Sequence, residues 1–228
     1  MGRSVLIAGA TGLVGRRLLS CLLDDPDVGS VVALTRRPLS LPHLKLHEAV
    51  VDFAAVADFA LPAVDDYFCC LGTTMKAAGS QAAFRAVDFQ LPLTIARMAL
   101  AAGATRCFVV STLGADPRSN VFYTRVKGEL EAALGALPFT TVVAFRPSLL
   151  DGPRTETRLG ERVGLALARP LGFALPARYR PIDAAVVARA MLAWSHRDVA
   201  GRRAVESEDI RRDGGTATNS GAEAENRL

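Results

Sequence analysis

Short, almost continuous apolar segments alternate with longer amphipathic ones along this chain, and this alternation strongly limits the fold that it can adopt. The apolar segments predict strands near residues 4–8, 30–35, 45–51, 65–70, 106–111 and 140–145, with a weaker one near 202–206. The amphipathic segments predict helices near residues 13–24, 90–102, 121–136, 159–168 and 183–195. Apolar strands that alternate with helices are typical of a parallel sheet buried on both faces. The sequence therefore predicts an α/β fold, a doubly wound parallel sheet with helices on both faces.

Length and composition favour a single domain with a small C-terminal appendage. The chain has 228 residues, of which 50% are hydrophobic and 22% are charged, so a sizeable core is available. We expect this domain to cover residues 1–212, with the elements that contact substrate mainly in 147–182. Residues 213–228, "DGGTATNSGAEAENRL", have almost nothing to bury, and they predict a disordered tail.

The sequence offers no membrane segment, signal peptide or metal motif. No apolar stretch reaches the ~18 residues that a membrane helix needs, and the first residues lack the pattern of a secretory leader. His43 and His47 are four residues apart, but they lie in a segment that predicts loop and strand, and no C-x-x-C is present. The cysteines lie in apolar segments, where a thiol usually acts as a small hydrophobe: Cys21, Cys69, Cys70 and Cys107. We therefore expect a cytoplasmic protein with no metal and no membrane partner.

The charge pattern argues against a nucleic-acid partner. The formal net charge is +4, but the basic residues form scattered pairs such as Arg16-Arg17 and Arg202-Arg203. A nucleic-acid surface usually carries a basic stripe interleaved with aromatic side chains. A solvated surface explains these pairs better.

Three glycines lie three residues apart in "VLIAGATGLVGRRLL", between the first predicted strand and the first predicted helix. One explanation is packing, because glycine lets a strand turn tightly into a helix. The other is a phosphate, because a helix N-terminus presents unpaired N–H groups that bare backbone lets an anion approach. In that case Gly9 makes the turn, Gly12 allows the approach, and Gly15 permits close helix–strand packing. The spacing differs from G-x-G-x-x-G, so both explanations stay open.

The second predicted strand bears on the choice between NAD and NADP. An NAD site usually has an acid about 20 residues after the glycines, which accepts from the ribose 2′-hydroxyl. Here the strand ends in "ALTRRP", with Arg36 and Arg37 and no acid. Two guanidinium groups suit a 2′-phosphate, so NADP is favoured, although an exposed basic turn is an alternative. Asp52, after the third strand, suits an adenine amino group or equally an ordinary helix cap.

A tyrosine and a lysine in "YTRVKGELEAAL" point to acid–base chemistry. Tyr123 and Lys127 are four residues apart and therefore share a helix face, twelve residues or more after Ser111 at the end of a strand. A free tyrosine has a pKa of about 10, and a nearby ammonium lowers it toward neutrality. In this interpretation Tyr123 exchanges the proton, Lys127 tunes it and reaches the cofactor ribose, and Ser111 holds the substrate oxygen. The alternative is a surface pair on an amphipathic helix.

GATGLVG, a serine at a strand end and YxxxK together resemble the short-chain dehydrogenase/reductase superfamily, in its extended or atypical branch. The segments "CCLGTTMKAAGSQAAFRAVDFQ", "STLGADPRSNVFYTRVKGELE" and "FRPSLLDGPR" are similar to the Tat-interacting-protein-like members, which bind NADPH. With the N-terminus, they cover most of residues 4–155. The resemblance implies a Rossmann-like domain.

The resemblance also implies roles for individual positions. The backbone from Thr11 through Gly12 and Leu13 to Val14 would hold the pyrophosphate. A second set would line the adenosine and ribose: Cys70, Leu71, Gly72 and Thr73. A third set would lie beside the nicotinamide: Arg146, Pro147, Ser148, Leu149 and Leu150. Arg154 matches a family arginine close to the cofactor.

The sequence departs from the superfamily in two respects. No asparagine stands between residues 75 and 102 to complete a proton relay, and the polar residues there that could replace it are Gln81, Asp88 and Gln90. The part after residue 155 is short for a sugar-nucleotide domain, which weakens an epimerase function. We therefore expect an NADPH-dependent oxidoreductase acting on a small carbonyl or alcohol. The alternative is an NADPH-binding redox sensor that acts through a protein partner, and a homodimer is also compatible.

Overall fold

The computed structural model describes residues 2–151 and 176–215. Within them, one sheet contains seven parallel strands in the order β3-β2-β1-β4-β5-β6-β9, and a second small sheet pairs β7 with β8. The strands are β1 Arg3–Ala8, β2 Val28–Thr35, β3 Leu46–Val50, β4 Asp66–Cys69, β5 Arg106–Val110, β6 Thr141–Arg146, β7 Leu150–Asp151, β8 Ile182–Asp183 and β9 Gly201–Glu206. The predicted doubly wound, Rossmann-like α/β fold is confirmed.

Helices cover both faces of the sheet. They are α1 Leu13–Asp24, α2 Met75–Ala78, α3 Gln81–Arg85, α4 Leu91–Ala101, α5 Phe122–Ala136, α6 Ala184–Ser195 and α7 Ser207–Gly215. A π-helical turn, Ala86–Gln90, joins α3 to α4, and short 3-10 turns occupy Val56–Asp58 and Ala177–Tyr179.

The central strand β1 shows why the sheet is buried twice. Val5 and Ile7 join the core under α1, α6 and α7, whereas Leu6 and Ala8 join the core under α4 and α5. Successive side chains of a strand point to opposite faces, so a strand covered on both faces has no position for a polar residue. The run "VLIA" meets this requirement, and all four side chains are fully buried.

The strand order reverses direction beside β1, because β2 lies on one side of it and β4 on the other. In open α/β sheets, ligands bind in the crevice at the carboxyl ends of the strands where this reversal occurs. The loops after β1, β2, β4, β5 and β6 therefore form the edge on which a site is expected.

Two boundaries differ from the sequence predictions. Residues 75–90 contain α2, α3 and the π-helical turn, although the sequence predicted no helix or strand between residues 70 and 90. The last helix extends through Gly215, so the predicted tail boundary at 213 falls inside it. Asp213 accepts hydrogen bonds from Trp194 Nε1 (2.9 Å) and Arg197 Nη1 (3.1 Å), which tie α7 to α6. Residues 216–228, and the helix predicted at 159–168, lie outside the described residues.

The appendage is described at its two ends. Leu150 and Asp151 pair with Ile182 and Asp183 in a two-residue parallel ladder, and the Ile182 N–H donates to the Leu149 carbonyl at 2.9 Å. The residues on either side of 152–181 therefore lie next to each other. Among the described helices, none combines the length and the apolar character that crossing a bilayer requires.

Candidate cofactor and catalytic site

Gly9 and Gly15 are explained by packing. Gly9 has a φ of 87°, and a Cβ there would lie 2.5 Å from the Cys70 carbonyl. A Cβ on Gly15 would lie 2.0 Å from the Gly9 oxygen. Real Cβ atoms do not come so close to backbone, so α1 can approach β1 and β4 only with glycine at both positions.

Gly12 is explained less well by packing. A Cβ on it would meet its nearest atom, the Gly9 oxygen, at 3.3 Å, and both Thr11 and Gly12 are exposed. Gly12 caps α1 without a side-chain hydrogen bond, and the first turn contains no acid. The first turn of α1 therefore has no side-chain cap and begins beside the bare backbone of Gly12, which is the arrangement that binds a pyrophosphate. This part of the molecule fits a dinucleotide.

Arg36 and Arg37 directly follow β2, and both side chains are exposed. In the part of the chain that the structure describes, neither guanidinium has a hydrogen bond or an ion pair. Asp52, by contrast, has a local role, because its Oδ1 accepts from the Ala54 N–H at 2.9 Å. Asp52 therefore closes a local turn and is not a helix cap, since the 3-10 turn that follows begins after Ala55 and has no side-chain cap. Arg36 and Arg37, by contrast, have no such local partner among the described residues.

The loop after β4 continues the edge of the sheet. The Cys70 N–H donates to the Ala8 carbonyl at 2.8 Å, Leu71 is buried, and Gly72 is exposed. The Thr73 N–H donates to Asp88 Oδ2 at 2.8 Å, which ties this loop to the π-helical turn. The four residues expected to line the adenosine and ribose thus lie at the carboxyl edge beside the glycine loop.

Lys127 and Asp88 form a buried ion pair at this edge. Lys127 Nζ lies 2.8 Å from Asp88 Oδ1, with 4% of the lysine and none of the aspartate side chain exposed. Burial is the largest influence on the Lys127 pKa and lowers it, but the charge of Asp88 and the phenol of Tyr123 together outweigh burial and raise that pKa above its usual value. Of the three polar residues considered for the relay position, the structure brings Asp88 to Lys127, whereas Gln81 and Gln90 are exposed.

Tyr123 lies in the first turn of α5, one turn before Lys127. Its half-buried ring packs against Phe84, with ring centroids 5.6 Å apart, and Phe84 is fully buried. The ring is therefore fixed by packing alone. Across residues 2–151 and 176–215, no group forms a hydrogen bond with the Tyr123 hydroxyl, so this hydroxyl is free to bond to a substrate.

Ser111 differs from its predicted role. Its N–H continues the β5–β6 ladder by donating to the Phe145 carbonyl at 2.7 Å, and its hydroxyl donates to Glu131 Oε1 on α5. The hydroxyl is thereby committed to the protein. Thr112 is half-buried, and its hydroxyl has no hydrogen-bond partner among the described residues. It is the next hydroxyl along the chain.

Arg146 is also committed to the protein. Its guanidinium donates to Glu131 (2.6 Å from Nη2 to Oε2) and to Glu206 (3.0 Å from Nη1 to Oε1), which joins β6 to α5 and to the end of β9. Hydrogen bonds from Arg146 to Glu131 raise the pKa of the arginine further above its ordinary value. The guanidinium that was predicted to lie beside a nicotinamide is thus held within an internal network.

The residues after Arg146 line the same edge. Pro147 is buried and its carbonyl accepts from the Leu113 N–H at 2.9 Å, while the Ser148 hydroxyl donates to the Arg180 carbonyl. Leu149 is half exposed and Leu150 begins β7. Arg154 lies outside the described residues.

Sequence reasoning missed Glu131 and treated Asp88 as one of three equal options. Glu131 follows Lys127 by four residues and Tyr123 by eight, so its position on the same helix face was readable. Its partners Ser111 and Arg146 were not, because they come from separate strands. Away from this edge, ligand atoms of Asp25, Asp27 and His196 come close together, with His196 Nε2 2.7 Å from Asp25 Oδ2. Hydrogen bonds within that group account for its geometry.

Comparison with known proteins agrees with this geometry. The profile described as "NAD dependent epimerase/dehydratase family" matches residues 5–125, more than half of the chain. Protein HTATIP2 of Rattus norvegicus is 36% identical over 199 residues, which cover 83% of this chain and 80% of that protein. The mitochondrial protein fmp52 of Emericella nidulans is 36% identical over 177 residues, 74% of this chain and 76% of that one.

Solved structures share the fold at low sequence identity. MoeE5 in complex with UDP-glucose and NAD matches with a TM-score of 0.68 at 18% identity, covering 92% of this chain and 80% of MoeE5. The human epimerase family protein SDR39U1 (isoform 2) with NADPH matches with a TM-score of 0.62 at 17% identity, covering 88% of this chain and 72% of that one.

The predicted cytoplasmic location is wrong by this comparison. FMP52 relatives from Emericella nidulans, Coccidioides immitis and Candida albicans carry "mitochondrial" in their names. The prediction relied on the absence of a leader pattern, which is weak ground for a location. The fold is shared more widely than the family, whereas the profile match and the identities above 30% are specific. The chain belongs to the NAD dependent epimerase/dehydratase family of NAD(P)-binding proteins, together with the HTATIP2 and FMP52 proteins.

Proposed function

We propose that this protein is an NADPH-preferring oxidoreductase that transfers hydride between the nicotinamide and the carbon of a small carbonyl or alcohol, with Tyr123 as the acid or base. The observation that carries the proposal is the Tyr123 hydroxyl. It has no partner among the described residues, it lies one helical turn from a buried ammonium, and its ring is held by Phe84. A structural tyrosine in such a position would be expected to bond to the protein.

The cofactor would lie along the carboxyl edge of the sheet. The N-terminus of α1 with Gly12 would hold the pyrophosphate, and Arg36 and Arg37 would bind the 2′-phosphate that distinguishes NADP from NAD. Their exposure and lack of internal partners support this assignment. The bound cofactor would supply or accept the hydride. That the solved SDR39U1 carries NADPH agrees with this preference, whereas MoeE5 carries NAD.

The proton would pass through Tyr123. A positive charge near the phenol stabilises its anion, so Lys127 favours proton release toward a substrate oxygen. Ser111 was expected to hold that oxygen, but its hydroxyl donates to Glu131. Thr112 is therefore the better choice for this hydrogen bond, because its hydroxyl has no hydrogen bond to any described residue.

The test is a screen of aldehydes, ketones and quinones with NADPH oxidation as the readout. For any substrate found, Tyr123→Phe should reduce turnover by roughly 10²–10⁴ without changing NADPH affinity, because only the ionisable hydroxyl is lost. Thr112→Val should reduce turnover more than Ser111→Ala. Wild-type turnover by Tyr123→Phe would refute the proposed chemistry. NADPH binding that changes affinity for a protein partner, with no turnover, would favour the regulatory alternative.

A further inference from the structure

Asp88 connects three parts of the edge where Tyr123 lies. It belongs to the π-helical turn between α3 and α4, its Oδ2 accepts from the Thr73 N–H at 2.8 Å, and its Oδ1 lies 2.8 Å from Lys127 Nζ. Among the described residues, Asp88 Oδ1 accepts no hydrogen bond of regular geometry, and its recorded contact is the ion pair with Lys127. That oxygen therefore serves the lysine alone. π-Helical turns are often found at functional sites, where they re-aim a side chain.

The pair is almost completely closed to water. Asp88 is completely buried and Lys127 nearly so, while Gly72 covers them with bare backbone. A Cβ on Gly72 would lie 3.4 Å from Asp88 Oδ1 and 3.5 Å from Lys127 Nζ. Gly72 is itself exposed, so its bare backbone separates the pair from solvent at the edge where the cofactor ribose is proposed to bind.

We propose that Asp88 is a positioning residue of the active site, whose carboxylate fixes the Lys127 ammonium against the Thr73 loop and limits the positive potential that Lys127 exerts on Tyr123. This inference rests on the proposed function, in which Tyr123 transfers the proton and Lys127 tunes it. The aspartate acts through the lysine and does not touch the substrate. Its negative charge stabilises the Lys127 ammonium, so the lysine keeps its proton to higher pH than it would without the carboxylate.

The direction follows from charge. With Asp88 ionised and Lys127 protonated, the group of three is neutral, and losing a proton makes it an anion in a buried place. Without the carboxylate, Lys127 and Tyr123 together carry one positive charge, and loss of a proton makes them neutral. Burial disfavours a charge, so this loss of a proton is easier than in the wild type. Either Tyr123 or Lys127 can be the group that releases the proton, and the titration belongs to the pair.

Several other ionisable groups on the elements around the pair are either neutral or paired with an opposite charge. The Cys69 thiol on β4 is fully buried, and burial raises its pKa, so it stays neutral. On α3 and α5, Arg85 Nη1 and Glu129 Oε2 lie 2.6 Å apart and neutralise one another. Glu131, further along α5, is paired with Arg146.

The experiment is a titration of Tyr123 by near-ultraviolet difference absorbance, which needs neither cofactor nor substrate. The chain has three tyrosines. Burial raises the pKa of Tyr67 well above its usual value, and Tyr179→Phe removes the exposed one. In that background Asp88→Asn should move deprotonation of the Tyr123–Lys127 couple to lower pH by about one unit or more. An unchanged titration overturns the proposal.

Asp66→Asn is the control, because Asp66 is equally buried and also ion-paired, with Arg3 and Arg106, but lies at the opposite end of the sheet. It should destabilise the protein and leave the titration where it is in the wild type. If both variants shift the titration equally, the shift reflects a loosened fold, and the proposal is wrong. Asp88→Glu, which keeps the charge, should titrate closer to the wild type than Asp88→Asn.

A second measurement covers the case in which Asp88→Asn does not fold. The wild-type chain has three lysines, Lys45, Lys76 and Lys127, so nitrogen NMR can follow each ammonium separately. The Lys127 ammonium should persist to higher pH than that of a free lysine side chain, and its earlier loss would contradict the proposal. These readouts also separate the two claims. A shifted titration together with wild-type turnover by Tyr123→Phe would leave the influence of Asp88 on Lys127 and Tyr123 intact and refute the proposed chemistry.

Discussion

Asp66 and Asp88 are both completely buried, yet they serve opposite ends of the sheet in different ways. Asp66 begins β4 and accepts from Arg106 through Nε and Nη2, both at 2.6 Å, and from Arg3 Nη1 at 2.6 Å. Both arginines also donate to the Ser195 carbonyl at the end of α6. Every charge in this cluster has partners within the protein.

The cluster around Asp88, by contrast, includes a polar group that has no partner among the described residues. Its lysine neutralises it, but the phenol of Tyr123 next to the lysine has no bond to any described residue. The comparison teaches that burial and pairing of an aspartate do not by themselves indicate function. What distinguishes the carboxyl end is an uncommitted polar group beside the pair.

The largest effect is expected from Lys127→Met. It leaves Asp88 as a buried carboxylate with no counter-charge, which should cost about 3–5 kcal/mol of the free energy of unfolding. Adding Asp88→Asn should restore most of this stability, whereas NADPH affinity should stay low because the lysine is absent. Chemical denaturation and fluorescence titration measure the two quantities. A double variant as unstable as the single one would show that Asp88 is not the source of the loss.

A smaller effect is expected from Asp66→Asn, because Arg3 and Arg106 are each about one fifth exposed and can be partly hydrated. The free energy of unfolding should fall by about 2 kcal/mol, the order of a lost charged hydrogen-bond partner. NADPH affinity should not change, since the cluster lies at the amino end of the sheet. A change in affinity would break the division between the two ends.

Arg36→Ala with Arg37→Ala tests a third kind of charge, one that is exposed and unpaired within the described structure. Loss of one charge-assisted bond to a phosphate, roughly 1.5–3 kcal/mol, should reduce the preference for NADPH over NADH by about tenfold or more. Fluorescence titration with both nucleotides measures the ratio. The control replaces another pair of neighbouring arginines, Arg202→Ala with Arg203→Ala on the edge strand β9, and it should leave the ratio of the two affinities unchanged. Equal ratios in both double variants would refute the assignment of the 2′-phosphate.

The smallest effect is expected from truncation after Gly215, which should change the unfolding free energy by less than about 0.5 kcal/mol. Truncation after Arg212 should cost more, because Asp213 bonds to Trp194 and Arg197. Burial of Asp213 opposes ionisation, but the bonds from Arg197 and Trp194 outweigh it and lower the Asp213 pKa. The stability that Asp213 adds is therefore present above the pKa of an unfolded aspartate, and it is lost as pH falls through the lowered value. Denaturation at several pH values measures it.

Much of the sheet could be predicted from the sequence. Each of the strands predicted within residues 4–145, and the weak one near 202, was found within about two residues of its predicted bounds. Period and composition are local signals, and a strand buried on both faces is apolar throughout. The short helices in 75–90 escaped this reasoning because "GTTMKAAGSQAAF" has no apolar period. The helix at 207–215 was not predicted because Ile210 is its one large apolar residue that is buried, and one residue gives no apolar period.

The site could be predicted only as far as its parts are local. The glycine loop and the spacing of Tyr123 and Lys127 are patterns within one element. The partners of Ser111 and Arg146 are not, since both converge on Glu131 from separate strands. A single sequence carries no signal for such pairings. The sequence therefore indicated side chains that the structure places at one edge of the sheet, but not the atoms to which they bond.

The two strands of the small ladder, β7 and β8, flank residues 152–181, and this segment is called the insert. Because Leu150 pairs with Ile182 and Asp151 with Asp183, both ends of this insert are fixed side by side before it begins. A segment of another length grafted between these residues would have to close the same short gap, and doubling a loop costs only about 0.6 kcal/mol. Any replacement of the insert would therefore have to begin and end one strand spacing apart, and it would also have to restore the carbonyls of Arg180 and Pro181 to which Ser148 and Arg211 donate.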